Sequence, residues 1–264
     1  MKTPDFNTKK ELFDWLIENK ATLITQKKAV IKHADGIAFN NAGEGNLNGP
    51  VDKANIGEDG TIGVTAIINT TNLMDSHDDV HIPGLWNKSL KENKMIMHLQ
   101  EHQMEFAKII SDGKDLKATT REYTWKELGA KLDGTTQALV FDSSVKDERK
   151  KFMFNEYRKG NVKNHSVGMR YVKLFLAVND EDYKDEYAIW EKYIDQVAND
   201  KAAIEQGYFW AVTEAKVIEG SAVPLGSNQI TPTLDIKEPL ESTQKEPLED
   251  TLKAFKKEIK NILN

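Results

Sequence analysis

The sequence predicts an α+β fold built on a mostly antiparallel sheet or barrel. Three observations carry this expectation. Four segments, at residues 60–70, 136–144, 166–178 and 208–223, are rich in β-branched and aromatic residues and partly alternate. Shorter stretches with helical spacing interrupt them. Apolar residues make up 39% and charged residues 30% of 264, which suits one globular core with a well-solvated periphery.

The elements follow in chain order. Asn7 is the expected N-cap of a helix over residues 8–32, with room for one break, because Leu12, Trp15, Leu16, Leu23 and Ile24 recur on one face. "NNAGEGNLNGP" reads as a polar loop, since Gly43, Gly45 and Gly49 do not make a dinucleotide-binding GxGxxG. After the strand over 60–70, "GLWNKSLKEN" places Leu85, Trp86 and Leu90 on one helix face. "KDERKKFMFNEYRKGN" does the same with Phe152, Phe154 and Tyr157, and Gly160 is placed to end that helix. A third helix over 185–206 is expected as an insertion between the last two strands. Beyond residue 230 the character changes. "KEPLESTQ" and "KEPLEDTL" repeat in tandem over 237–252, acidic and broken by proline, so they form a linker. Leu248, Leu252, Phe255, Ile259 and Ile262 then make an amphipathic docking helix. The expected organisation is a helical segment over 1–35, a β domain over 36–230, and a linker plus helix over 231–264.

Composition excludes several functions. A formal net charge of −6, with basic residues interleaved among acids as in "KDERKK", argues against direct nucleic-acid binding. With no cysteine there is no disulfide, thiolate metal site or cysteine nucleophile, which suits a reducing cytosol. No apolar run approaches the roughly 20 residues that span a bilayer. The first residues lack the apolar core of a signal peptide, so a soluble intracellular protein is expected.

Histidine and serine carry the candidate chemistry. "HLQEH" at 98–102 matches the inverted zinc-peptidase signature H-x-x-E-H. Its surroundings, "MIMHLQEH", alternate like a strand, in which residues i and i+4 lie about 13 Å apart and share no metal ion. "DSHDDVHIPG" at 75–84 is acid-rich but lacks the spacing of a calcium loop and reads as a structured turn. Ser166 opens an alternating run, "NHSVGMRYVK", and is either a nucleophile or an ordinary residue at a strand start. Its neighbour His165 points to the opposite face, so a base would come from a distant segment, His98 or His102. Glu219, near the end of an apolar strand, is either an edge residue or a buried partner.

Four pieces in order then resemble the tailed-phage prohead maturation proteases, relatives of herpesvirus assemblin: "NLMDSHDDVHIPGLWNKSL", "MIMHLQEHQMEFAKIISD", "NHSVGMRYVK" and "VIEGSAVPLGSN". The similarity spans roughly residues 60–230. It implies a herpesvirus-protease-like β-barrel surrounded by helices and a serine endopeptidase that needs no cofactor and no metal. Ser166 matches the nucleophile, His102 the catalytic histidine and Glu219 the third member. The implied substrates are scaffold and major capsid protein, cut in the host cytoplasm inside the assembling procapsid. Self-processing follows from the same resemblance, and a homodimer is implied by the herpesvirus branch. The chain departs from the family in "PLGSN", where proline-alanine-asparagine is usual, and in the length of the insertion over 185–206.

Within that expectation, Gly168 would let substrate backbone approach, and backbone N–H groups near Ser166, with Arg170, would stabilise an oxyanion. Two other readings are a zinc hydrolase using His98 and His102, and a non-catalytic scaffold or capsid-binding protein. Self-cleavage is expected between residues 228 and 250, ahead of the tail helix.

Overall fold

In this computed structural model, residues 4–31, 57, 60–226, 228 and 230–237 are described. The glycine-rich loop, nearly all of the tandem repeat and the tail helix lie outside them, as does most of the window expected for self-cleavage. Within the described residues the chain is α+β.

Helix α1 (Lys9–Ala29) runs unbroken and is capped one residue later than expected. Thr8 Oγ1 accepts the Glu11 N–H at 3.2 Å, and Glu11 Oε2 accepts the Asn7 N–H at 2.9 Å. The side chains thus take up backbone donors that have no partner inside the helix. Phe13 and Leu16 are buried in the main core, with Leu12, Trp15, Leu23 and Ile24 packed around them. The first segment is therefore part of the domain, not an appendage.

The strands are β1 (Thr61–Thr70), β2 (Asp79–His81), β3 (Met97–Gln100), β4 (Ile109–Asp112) and β5 (Leu116–Thr124). They continue with β6 (Thr135–Lys146), β7 (Asn164–Val178), β8 (Tyr208–Val223) and β9 (Thr233–Lys237). One antiparallel sheet has the order β5-β6-β1-β9. In the other, β8 is paired along its length by β7, and by β2 and then β3 in parallel, with β4 beyond β3. Among the described residues no pairing closes the two sheets into one barrel. They pack face to face, and closely: a Cβ on Gly220 of β8 would come 2.6 Å from Phe141 and 2.7 Å from Ile68 of the opposite sheet.

Four expectations are corrected. β9 lies inside the stretch expected to be linker, with Ile236 buried and paired to Val64 of β1, so the domain reaches at least Lys237. Five residues of alternating "TLDIK" are enough to join an existing edge, although too short to stand out beside the acidic repeat. Asn87–Glu92 alone forms α2, with Leu85 and Trp86 buried just before it. In α3 (Asp147–Arg158) the buried residues are Met153, Phe154 and Tyr157, while Phe152 is exposed. Phe152 and Phe154 are two residues apart, about 200° round an α-helix, so they do not share a face: the helix buries Phe154 and turns Phe152 outward. The insertion is α4 (Lys184–Tyr193), a 3-10 turn and α5 (Asp200–Gln206), ended by Gly207 at φ 81°.

Between the sheets runs a buried polar chain. His165 Nδ1 lies 3.1 Å from the Thr231 carbonyl, and its Nε2 lies 3.0 Å from Tyr157 Oη. Tyr157 Oη is 3.0 Å from His98 Nε2, and His98 Nδ1 is 2.8 Å from Ser143 Oγ. Burial lowers the His98 pKa well below the ordinary histidine value, aided by nearby His165, and lowers that of His165 to about 4. Both imidazoles are thus neutral when folded. On unfolding they bind protons below about pH 6.5, so they contribute stability above that pH which is lost as pH falls toward 4. Asp75 has the opposite sign, its carboxyl pushed up to about 7 by burial and by Asp79. Burial raises the Asp78 carboxyl too, opposed by its Tyr208 hydrogen bond and by Lys27, so the two aspartates offset part of the histidine effect and not all of it. Thermal unfolding should therefore show a midpoint that drops between pH 6.5 and 4.5; a midpoint that rises over this range would contradict the buried neutral pair.

Candidate active site

β7 and β8 set the geometry. In their antiparallel register Ser166 faces Ser221 and Gly168 faces Glu219. Residues two apart on a strand share a face, so these four residues form one patch. Gly220, between the two β8 members, points the other way into the core. The patch therefore lies on the side of the sheet turned away from the inter-sheet core. β3 runs parallel beside β8, with Met97 against Glu219 and Leu99 against Ser221. Its next turn delivers His102 to the same patch.

That turn is conformationally costly. Glu101 and His102 have φ of 54° and 58°, the left-handed region, at about 1–2 kcal/mol for each non-glycine residue. Three hydrogen bonds hold them there. The Glu101 N–H donates to the Ala222 carbonyl at 3.0 Å, and the His102 N–H donates to Ser221 Oγ at 3.1 Å. His102 Nδ1 lies 2.7 Å from Glu219 Oε1. A carboxylate accepts, so the proton is assigned to Nδ1, and Nε2 is the basic nitrogen of this imidazole. Ser221 completes the group by donating to Glu219 Oε2 at 2.6 Å. Glu219 and Ser221 are fully buried, and Ser166 is 5% exposed.

The site residues expected from the sequence thus separate into two sets. Ser166, Gly168, Glu219 and His102 come together. Gly168 has a different role from the one expected: a Cβ there would sit 1.9 Å from Glu219 Oε1, so the space left by the glycine is filled by the carboxylate, not by substrate. Arg170 is exposed and faces Lys216, about 13 Å along the strand from Ser166, which removes it from the oxyanion position. His98 lies on a strand, as its alternation predicts, and faces the core with both ring nitrogens hydrogen-bonded to Ser143 and Tyr157. Among the described residues no three His, Asp or Glu side chains converge as metal ligands would. Of the other acids, Glu214 forms ion pairs with Lys88 and Lys173, which hold its carboxyl below the usual range. Asp142 pairs with Arg121.

The acid-rich stretch forms a structured turn. Asp75 Oδ1 accepts the N–H groups of His77 and Asp79 at 2.8 and 3.1 Å. Lys27 of α1 pairs with the buried Asp79, which also accepts the Tyr171 hydroxyl at 2.8 Å. A small pocket bordered by Ser166, His81, Tyr171 and Asn228 opens beside this turn.

Ser221 is the member of this patch that the sequence did not single out. Its signal was present, a hydroxyl two residues after Glu219 and so on the same strand face. No protein-family model, curated protein or solved structure matches this chain. Ser221→Ala would remove a donor to a buried carboxylate and an acceptor for the His102 N–H. Chemical denaturation should show a loss of about 1.5–3 kcal/mol, the range for hydrogen bonds to charged groups. An unchanged midpoint would contradict the geometry.

Proposed function

We propose that the chain is a serine endopeptidase in which Ser166 is the nucleophile, His102 the general base and Glu219 the group that orients the imidazole. The observation that carries this reading is the 2.7 Å hydrogen bond from His102 Nδ1 to Glu219 Oε1, beside the strand pair that bears Ser166. The imidazole takes the Ser166 hydroxyl proton as Oγ attacks a peptide carbonyl, forming the C–O bond of a tetrahedral intermediate. The imidazolium gives that proton to the leaving amine as the C–N bond breaks, and water then hydrolyses the acyl-enzyme by the same route. Glu219 fixes the tautomer and offsets the imidazolium charge.

The resemblance to prohead maturation proteases supplies the setting. The substrates are scaffold and major capsid protein within an assembling procapsid in the host cytoplasm. The herpesvirus-protease-like barrel, the homodimer and cleavage of the chain's own tail between residues 228 and 250 belong to the same proposal.

Expression of the wild type beside Ser166→Ala, with intact-mass measurement, tests the reading. Shortened wild type and full-length Ser166→Ala support it; the same truncation in both overturns self-processing. On purified substrate, Ser166→Ala and His102→Ala should lose activity by 10³-fold or more, on the order of a triad deletion. Glu219→Gln should lose less, and His98→Ala should keep its chemistry where it folds. Equal loss at His98 and His102, reversed by added zinc, would favour a metallohydrolase instead.

A further inference from the structure

We infer that Tyr157 is a positioning residue for the proposed reaction, holding the nucleophile strand and the base-bearing strand in register from behind the sheet. The inference rests on the serine-peptidase reading above. It starts from the polarity of the buried chain. The Thr231 carbonyl can only accept, so His165 Nδ1 carries a proton and the neutral ring's Nε2 accepts from the Tyr157 hydroxyl. Tyr157 Oη, having donated its only proton, accepts from His98 Nε2–H, which leaves His98 Nδ1 to accept from Ser143 Oγ–H. Every proton position follows from one carbonyl.

The two imidazoles of this chain sit on the strands that carry the two halves of the site. His165 is bonded directly to Ser166, and its backbone is clamped: its N–H donates to the Thr231 carbonyl at 3.1 Å, and its carbonyl accepts from Thr231 Oγ1 at 2.7 Å. His98 lies on β3, paired with Gly220 of β8, and β3 leads into the turn that bears His102. Tyr157 is fully buried, stacks on the His165 ring at 13° and is hydrogen-bonded to both imidazoles, whose rings also lie 5.9 Å apart. Strands β3 and β7 are not neighbours in the sheet, since β8 lies between them. Their relative position therefore depends on β8 and, from the inner side, on the Tyr157 hydrogen bonds together with the contact between the two imidazole rings.

An alkyl fluorophosphonate, which phosphonylates an activated serine Oγ and expels fluoride, reads this coupling without a peptide substrate. Labelling rates would be measured for wild type, Tyr157→Phe, Ser166→Ala and the remote core control Trp190→Phe, all below their unfolding temperatures. Wild type should label at Ser166, Tyr157→Phe at least tenfold more slowly, and Trp190→Phe at the wild-type rate despite its own loss of stability. A Tyr157→Phe rate within twofold of wild type, or equal slowing in the control, overturns the positioning role. If Tyr157→Phe does not fold, Ser143→Ala carries the test, with slowing of threefold or more expected and an unchanged rate overturning the inference. Wild type that fails to label at Ser166 while folded would instead remove the serine-peptidase reading, and the positioning role with it.

Discussion

The Glu219 carboxylate lies over Gly168, in the space where any other residue would put a Cβ. The rest of the candidate site depends on this packing. A buried carboxylate is costly unless its oxygens are hydrogen-bonded. Here Oε1 meets His102 and Oε2 meets Ser221, both close by because of the strand register. Shift β7 by one residue against β8, and a valine or methionine would face Glu219. The glycine, the acid and the serine therefore belong to one steric solution.

β8 is the spine of that solution. It contributes Glu219 and Ser221 on one face and Gly220 on the other, where the absent side chain lets Phe141 and Ile68 approach. One tripeptide thus carries polar site residues outward and close inter-sheet packing inward. The strained turn at Glu101 and His102 is held by the same strand through the Ala222 carbonyl and Ser221. On the inner side, the Ser143–His98–Tyr157–His165 chain ties β6, β3, α3 and β7 together, so the outward patch rests on a buried polar layer as well as an apolar one.

The strands and the α+β class were legible because alternation and β-branched residues mark them strongly, and the bounds 208–223 coincide with β8. The alternation of "MIMHLQEH" marks the strand at His98 in the same way. Legibility ended where local pattern and tertiary geometry diverge. Nothing in "SVG" says whether its glycine admits substrate or another side chain; that requires knowing that Glu219 faces it across the sheet. Phe152 is two residues from the buried Phe154 and so turns outward on the helix, and β9 was hidden by its brevity. The chain of buried histidines was not legible at all, since His98, Tyr157 and His165 converge only once three separate elements have packed.

A double-mutant cycle on folding stability tests the central constraint directly, using Gly168→Ala, Glu219→Ala and the pair. In the native background the added Cβ meets the carboxylate, so Gly168→Ala should cost about 1–3 kcal/mol, as overpacking does. In the Glu219→Ala background the obstruction is gone, and the same substitution should be close to neutral, leaving a large coupling energy between the two sites. Costs that simply add would contradict the account, because Glu219 would then not occupy the space that Gly168 leaves.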